Sequence, residues 1–171
     1  MAISLDGTAG ITTPSIQNDG LDGVGNIGTS ATSFNTVFAK ATSAQYADVA
    51  EKYIADSDYE PGTVLIFAGH AEVTQSTVEN DTRVAGVVST NPAYIMNSNL
   101  DHMYSTEVAL LGRVPCKVTG AITKGDLLVT SEVVGHAKAN NSPKPGTIIG
   151  RALVSKQSLE AGVIEIVVQN A

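Results

Sequence analysis

Beyond Gly62 the apolar runs of this chain are short, rich in β-branched residues, and closed within a few positions by Gly, Pro or Asn. A helix needs an apolar rhythm of 3.6 residues kept up over about ten residues or more, and no stretch here sustains one. The spacing predicts strands at residues 63–67, 71–74, 83–89, 107–111, 113–118, 126–130, 147–154 and 163–168. Strands this close together, with no helices between them, exclude a doubly wound parallel sheet. They imply a compact antiparallel β-barrel or sandwich.

Three phrases share one grammar: Pro61-Gly62-Thr63-Val64-Leu65, Lys124-Gly125-Asp126-Leu127-Leu128 and Pro145-Gly146-Thr147-Ile148-Ile149. In each, a turn residue precedes a glycine, a small polar residue follows, and two aliphatics enter the sheet. Glycine there supplies a backbone angle that other residues resist. The echo reads as repeated hairpin geometry rather than as a site.

The first part of the chain is leaner. Residues 1–42 scatter their apolar side chains among turns such as Asp19-Gly20 and Asp22-Gly23. One such segment cannot bury enough apolar surface to offset the entropy lost on ordering, whereas three copies meeting along an axis can. This makes 1–42 a short fibrous stem for trimerisation and attachment, with a disordered tail as the alternative. Ser43 is placed to cap a short helix reaching Ile54, with Ala44, Ala47, Ala50 and Ile54 near one face. The expected organisation is a stem at 1–42, a short helix and connector at 43–57, and a β-rich head at 58–171. The chain is thus mainly β and homotrimeric, with Ile27, Phe34, Val37, Phe38, Ala47, Ala50 and Ile54 as candidate trimer contacts.

Composition narrows the function. A formal charge of −7 argues against nucleic acid or an anionic membrane as partner, because both demand a basic patch. No run approaches the roughly 18 apolar residues of a membrane span, so no membrane insertion is expected. The opening residues lack the basic and apolar regions of a secretory leader, which points to synthesis in the cytoplasm. Cys116 is the single cysteine, so neither an intrachain disulfide nor a cysteine-rich zinc site can form. Alternation puts Val114, Cys116 and Val118 on one face, the setting of a buried structural thiol.

Candidate chemistry is thin, and no cofactor is expected. Gly23-Val24-Gly25-Asn26-Ile27-Gly28 matches the dinucleotide-binding glycine pattern but lacks the strand before it and the helix after it. Gly120-Ala121-Ile122-Thr123-Lys124-Gly125 begins like a phosphate-binding loop, yet Asp126 stands where the essential lysine belongs. His70, His102 and His136 are isolated, and Asp19 and Asp22 are explained by ordinary Asp-Gly turns. Glycan hydrolysis would need paired carboxylates beside aromatic platforms, and aromatics are only 5% of the chain, with no Trp. The densest group of larger side chains lies between Asn91 and Tyr104. Tyr94, Met96, His102, Met103 and Tyr104 there form either a partner-contacting loop or a cover over the core.

Several phrases carry a family resemblance. Met1-Ala2-Ile3-Ser4-Leu5-Asp6-Gly7-Thr8-Ala9-Gly10-Ile11-Thr12 and Phe34-Asn35-Thr36-Val37-Phe38-Ala39-Lys40-Ala41-Thr42 resemble tail-fibre and related virion proteins of tailed bacteriophages, marine ones in particular. Tyr46-Ala47-Asp48-Val49-Ala50-Glu51-Lys52-Tyr53 and Arg83-Val84-Ala85-Gly86-Val87-Val88-Ser89 are similar to the β-domain that often closes such fibres. So are Gly112-Arg113-Val114-Pro115-Cys116-Lys117-Val118 and Lys124-Gly125-Asp126-Leu127-Leu128-Val129. The resemblance implies a non-enzymatic homotrimer in the virion, at the tail, baseplate or capsid surface. Its implied partners are other virion proteins and a host-surface receptor. At 171 residues a short tail fibre or spike fits better than a long fibre. A capsid decoration or head-fibre protein is the alternative, and an autoproteolytic intramolecular chaperone domain is a minor one.

Overall fold

The computed structural model describes Ala31 and residues 47–169. Contacts divide the chain into two units, Met1–Ala41 and Thr42–Ala171, and the strands lie in the second. In order they are β1 (Asp48–Ile54), β2 (Val64–Ile66), β3 (Thr74–Gln75), β4 (Val84–Val88), β5 (Tyr94–Met96), β6 (Ser105–Val118), β7 (Leu127–Thr130), β8 (Ala137–Ala139), β9 (Ile148–Ala152) and β10 (Gly162–Gln169). No helix occurs among the described residues.

The spine is β6, 14 residues long. Its second half pairs with β10, and the path β10-β9-β7-β8 returns to β6 through Val118 and Ala137. This is a closed five-stranded barrel. The first half of β6 pairs with β1 on one edge and β4 on the other, and β4 continues to β2 and β3. A single bridge between Ala55 and Val73 closes this other ring, the first in chain order. Closure matters because an open edge exposes unpaired backbone groups.

The two rings are copies of one plan. In the first, Val64 pairs with Val87 and Leu65 with Gly86, and the register then skips to Ile66 with Val84. In the second, Leu127 pairs with Arg151 and Leu128 with Gly150, and it skips likewise to Val129 with Ile148. Gly62 N–H donates to Val88 O and Val88 N–H to Thr63 O, both at 2.9 Å. Gly125 with Ala152, and Ala152 with Asp126, repeat those bonds at 2.8 and 3.0 Å. The pairing of Ala50–Ile54 against β6 recurs as the pairing of Arg113–Lys117 against β10. Thus β6 is both the last strand of the first copy and the first strand of the second.

The three phrases read from sequence form the entries to β2, β7 and β9. Gly62, Gly125 and Gly146 have φ of 84°, 95° and 80°, the left-handed values that glycine adopts without penalty. In each turn the residue after the glycine returns a hydrogen bond to the residue before the turn: Thr63 to Glu60, Asp126 to Thr123, Thr147 to Lys144. The sheet formed by β2, β4 and β6 is covered on both faces. Leu65, Val88 and Val108 enter one apolar cluster, while Val64, Val87 and Ala109 enter the other. Burial on both sides is why Val64-Leu65-Ile66 is apolar without alternation. Each such side chain contributes about 1.5–3 kcal/mol by leaving water.

Three expectations need correction. The helix expected from Ser43 to Ile54 is absent, and Asp48–Ile54 is strand β1. Its spacing of alanines suits a helix, but pairing with β6 on one edge and β5 on the other satisfies the backbone instead. The runs at 107–111 and 113–118 are one strand, bent where Leu110 is left out of the register with β1. Pairing is mixed rather than purely antiparallel, since β1–β5 and β6–β8 are parallel.

Candidate interaction surface

The copies differ most in the connection between their last two strands. In the second copy residues 153–161 join β9 to β10; in the first a longer stretch, 89–104, joins β4 to β6 and carries β5. It is laid along β1 by the pairs Val49–Tyr94, Ala50–Ile95 and Glu51–Met96, and Ala93 N–H donates to Asp48 O at 2.8 Å. Asn97 then turns the chain with φ of 53°, a value Asn tolerates, and its Nδ2 donates to Lys52 O at 3.1 Å. Leu100 N–H returns to Asn97 O at 3.0 Å. Further on, Tyr104 N–H donates to His102 Nδ1 at 3.3 Å.

All five loop candidates therefore sit on this insertion. Tyr94 and Met103 are 64% and 85% exposed, Tyr104 and His102 are exposed, and Met96 is half-buried. The insertion presents aromatic and thioether surface among amides. Of the trimer candidates, Ile27, Phe34, Val37 and Phe38 lie outside the described residues. Ala47 is exposed, Ile54 is half-buried, and Ala50 has no exposed surface in the single chain. In β1, Ala50 and Ile54 share a face, and Ala47 lies just before the strand.

A cleft of about 360 Å³ opens where the insertion leaves β4, lined by Asp48, Thr90, Asn91, Arg113, Pro115 and Glu165. Asp48 is buried, and Ser89 Oγ donates to its carboxylate at 2.7 Å. Desolvation raises the Asp48 pKa, and the Ser89 hydrogen bond opposes that rise. Arg113 and Glu165 approach to 3.6 Å, so the cationic and anionic walls compensate each other. Sequence reasoning missed Asp48 and Ser89, which are far apart along the chain; neither belongs to a spaced motif.

No group of three or more His, Cys, Asp or Glu side chains suited to a metal occurs among the described residues. Cys116 is fully buried, and burial pushes its thiol pKa up to about 12. In the turn after Gly120, Asp126 Oδ2 accepts from Thr123 N–H at 2.8 Å, making Asp126 a turn cap rather than a phosphate ligand. The glycine pattern at 23–28 lies outside the described residues.

Fold and surface together define a class: a mainly β domain of two fused five-stranded rings with a long, largely exposed insertion. No family model and no curated protein sequence matches the chain. Among solved structures it is similar to the C-terminal fragment of gene product 12 of bacteriophage phi29, with 11% identity and a TM-score of 0.52. That likeness spans 71% of this chain and 100% of the fragment, and it shows a shared fold. The N base of the head fibre gp8.5 of bacteriophage phi29 is also similar, at 20% identity and a TM-score of 0.42, over 69% of this chain and 91% of that one.

Proposed function

We propose that this chain is a structural component of a bacteriophage virion, a short trimeric tail fibre or spike that binds other virion proteins and presents its insertion to a host surface. The observation that carries the reading is the fold likeness to the gene product 12 fragment over the whole of that fragment, which agrees with the phrase-level resemblance of the sequence. Residues 1–42 supply trimerisation and attachment, and the double ring forms the head. The test is immunogold labelling of assembled virions together with light scattering of the purified full chain. Label on the tail and a trimeric mass are expected. Label on the capsid would move the role to a head fibre, and unlabelled virions or a monomer would overturn it.

A further inference from the structure

Inside one chain the second ring receives the first through a specific contact. The loop 76–83 between β3 and β4 lies on the start of the β7–β8 turn. Asn80 N–H donates to Thr130 O at 3.2 Å, and Asp81 N–H donates to Thr130 Oγ1 at 2.8 Å. Glu79 reaches Lys138 at 3.1 Å. Both partners of this contact have counterparts in the repeat: Phe67, Lys144 and Pro145 are exposed, whereas Thr74 Oγ1 lies 3.3 Å from Tyr59 Oη and Asn140 Nδ2 donates to Asn80 Oδ1 at 2.8 Å. By strand register, Phe67 in the first ring stands where Thr130 stands in the second, and Thr74 stands where Lys138 stands. In the loop 140–147 between β8 and β9, Pro143, Lys144 and Pro145 stand where Glu79, Asn80 and Asp81 stand.

The substitutions are matched across the two free surfaces. Asp81 offers an N–H and Thr130 an acceptor; Pro145 has no N–H and Phe67 has no side-chain acceptor. Glu79 and Lys138 form an ion pair; Pro143 and Thr74 carry no charge. Donor faces acceptor inside the chain; at the corresponding positions stand a proline, Pro145, and an aromatic ring, Phe67. Phe67 is 45% exposed and meets Tyr53 edge-on at 5.6 Å, so the receiving surface is apolar. Asp56, which accepts a hydrogen bond from Tyr59 Oη next to Thr74, is an exposed carboxylate, opposite in charge to the exposed Lys144. Leu127 N–H is held by Asn141 Oδ1 at 2.9 Å, whereas its counterpart Val64 N–H reaches across to Gly135 O at 2.9 Å. Asn141 thus ties the base of the loop 140–147 to its own ring, while its tip at Lys144 and Pro145 is exposed.

We propose that the Phe67 surface is a docking site for the loop 140–147 of a second copy of this chain, in the manner by which the loop 76–83 docks within the chain. Pro145 packs on Phe67, and Lys144 faces Asp56. The contact is head-to-tail, so it closes into a ring or runs on as a filament according to the rotation between copies. It is written on the head alone and does not depend on the stem.

Cross-linking of the full chain reads the contact directly. With Phe67→Cys and Pro145→Cys in one chain, mild oxidation is expected to shift the protein to linked multiples on a non-reducing gel, while each single variant stays unlinked. Adding Lys144→Glu is expected to abolish the shift. Should that double variant fold poorly, Asp56→Cys with Lys144→Cys places the same pair of surfaces under test. The proposal is overturned if the folded double variants stay unlinked, if single cysteines link equally well, or if Lys144→Glu leaves the linkage intact. Failure of trimerisation by the stem would show instead in the mass of the unmodified chain.

Discussion

Gly86 faces the carbonyl oxygen of Ala109 so closely that a Cβ on it would stand 2.4 Å away, well inside contact distance. The matching glycine of the second ring, Gly150, would meet Val167 O at 2.0 Å. Each sits where the register skips, and there the backbone of the neighbouring strand occupies the space of a side chain.

Gly86→Ala and Gly150→Ala are accordingly expected to destabilise the head by about 1–3 kcal/mol each, because the clash is with backbone that cannot swing aside. Gly120→Ala is the control: no atom lies within 4 Å of its Cβ position, and only the φ of 77° opposes the change. Urea unfolding of the three variants checks the order. Equal midpoints for Gly120→Ala and Gly150→Ala would contradict it.

Asp81 makes stability depend on acid. Hydrogen bonds from the Arg83 guanidinium, Nε at 2.9 Å and Nη2 at 2.7 Å, hold its carboxyl below the ordinary value of 3.8. A depressed folded pKa adds stability that is present above 3.8 and is lost as pH falls through the folded value. The Tm of the wild type should therefore drop in this acid range, and Asp81→Asn should start lower at neutral pH and fall less. Asp48, raised by burial, acts with the opposite sign: its cost appears as pH climbs above 3.8. An Asp81→Asn variant whose Tm falls with acid as steeply as that of the wild type would refute the Asp81 role.

Cys116 should be chemically silent in the folded head. A fully buried thiol with its pKa near 12 offers almost no thiolate, so alkylation should proceed only through unfolding. Rates of iodoacetamide labelling, followed by intact mass, should rise in step with urea. Cys116→Ser should cost about 1–3 kcal/mol by burying a hydroxyl in an apolar cluster. Rapid labelling without denaturant would place the thiol at the surface.

Lys156 fastens the β9–β10 connection. Its Nζ donates to Gly120 O at 3.0 Å, to Ser158 O at 2.6 Å, and to Glu160 O, using the three donors of one ammonium on three carbonyls. Lys156→Met keeps the aliphatic stem but removes the donors. Chymotrypsin should then cut faster beside Leu159, which is exposed in this connection. An unchanged cleavage rate would mean the loop is held by other contacts.

The turns entering β2, β7 and β9 were readable because glycine reports a backbone angle directly. The apolar blocks of β2 and β4 were readable because double-sided burial leaves no polar alternation. The strand β1 was misread for a physical reason: its alanines fit a helical face, and only its two partner strands, distant in sequence, decide otherwise. β5 and β8 are three residues each, too short to show a period. The doubled plan was sensed only as an echo, since the copies share register, skips and hydrogen bonds while their side chains diverge. Of the surface candidates, the loop residues could be picked out by size and density, but the Asp48–Ser89 bond and the Phe67 face emerge only once register is known.

The chain enters the double ring at Asp48, opposite Gly112, and leaves it at Gln169, opposite Leu111 on the other edge of β6. Entry and exit are thus two strand spacings apart, about 10 Å. A force applied between Asp48 and Gln169 would therefore bear first on the pairing of Gly112 and Leu111, in the middle of β6.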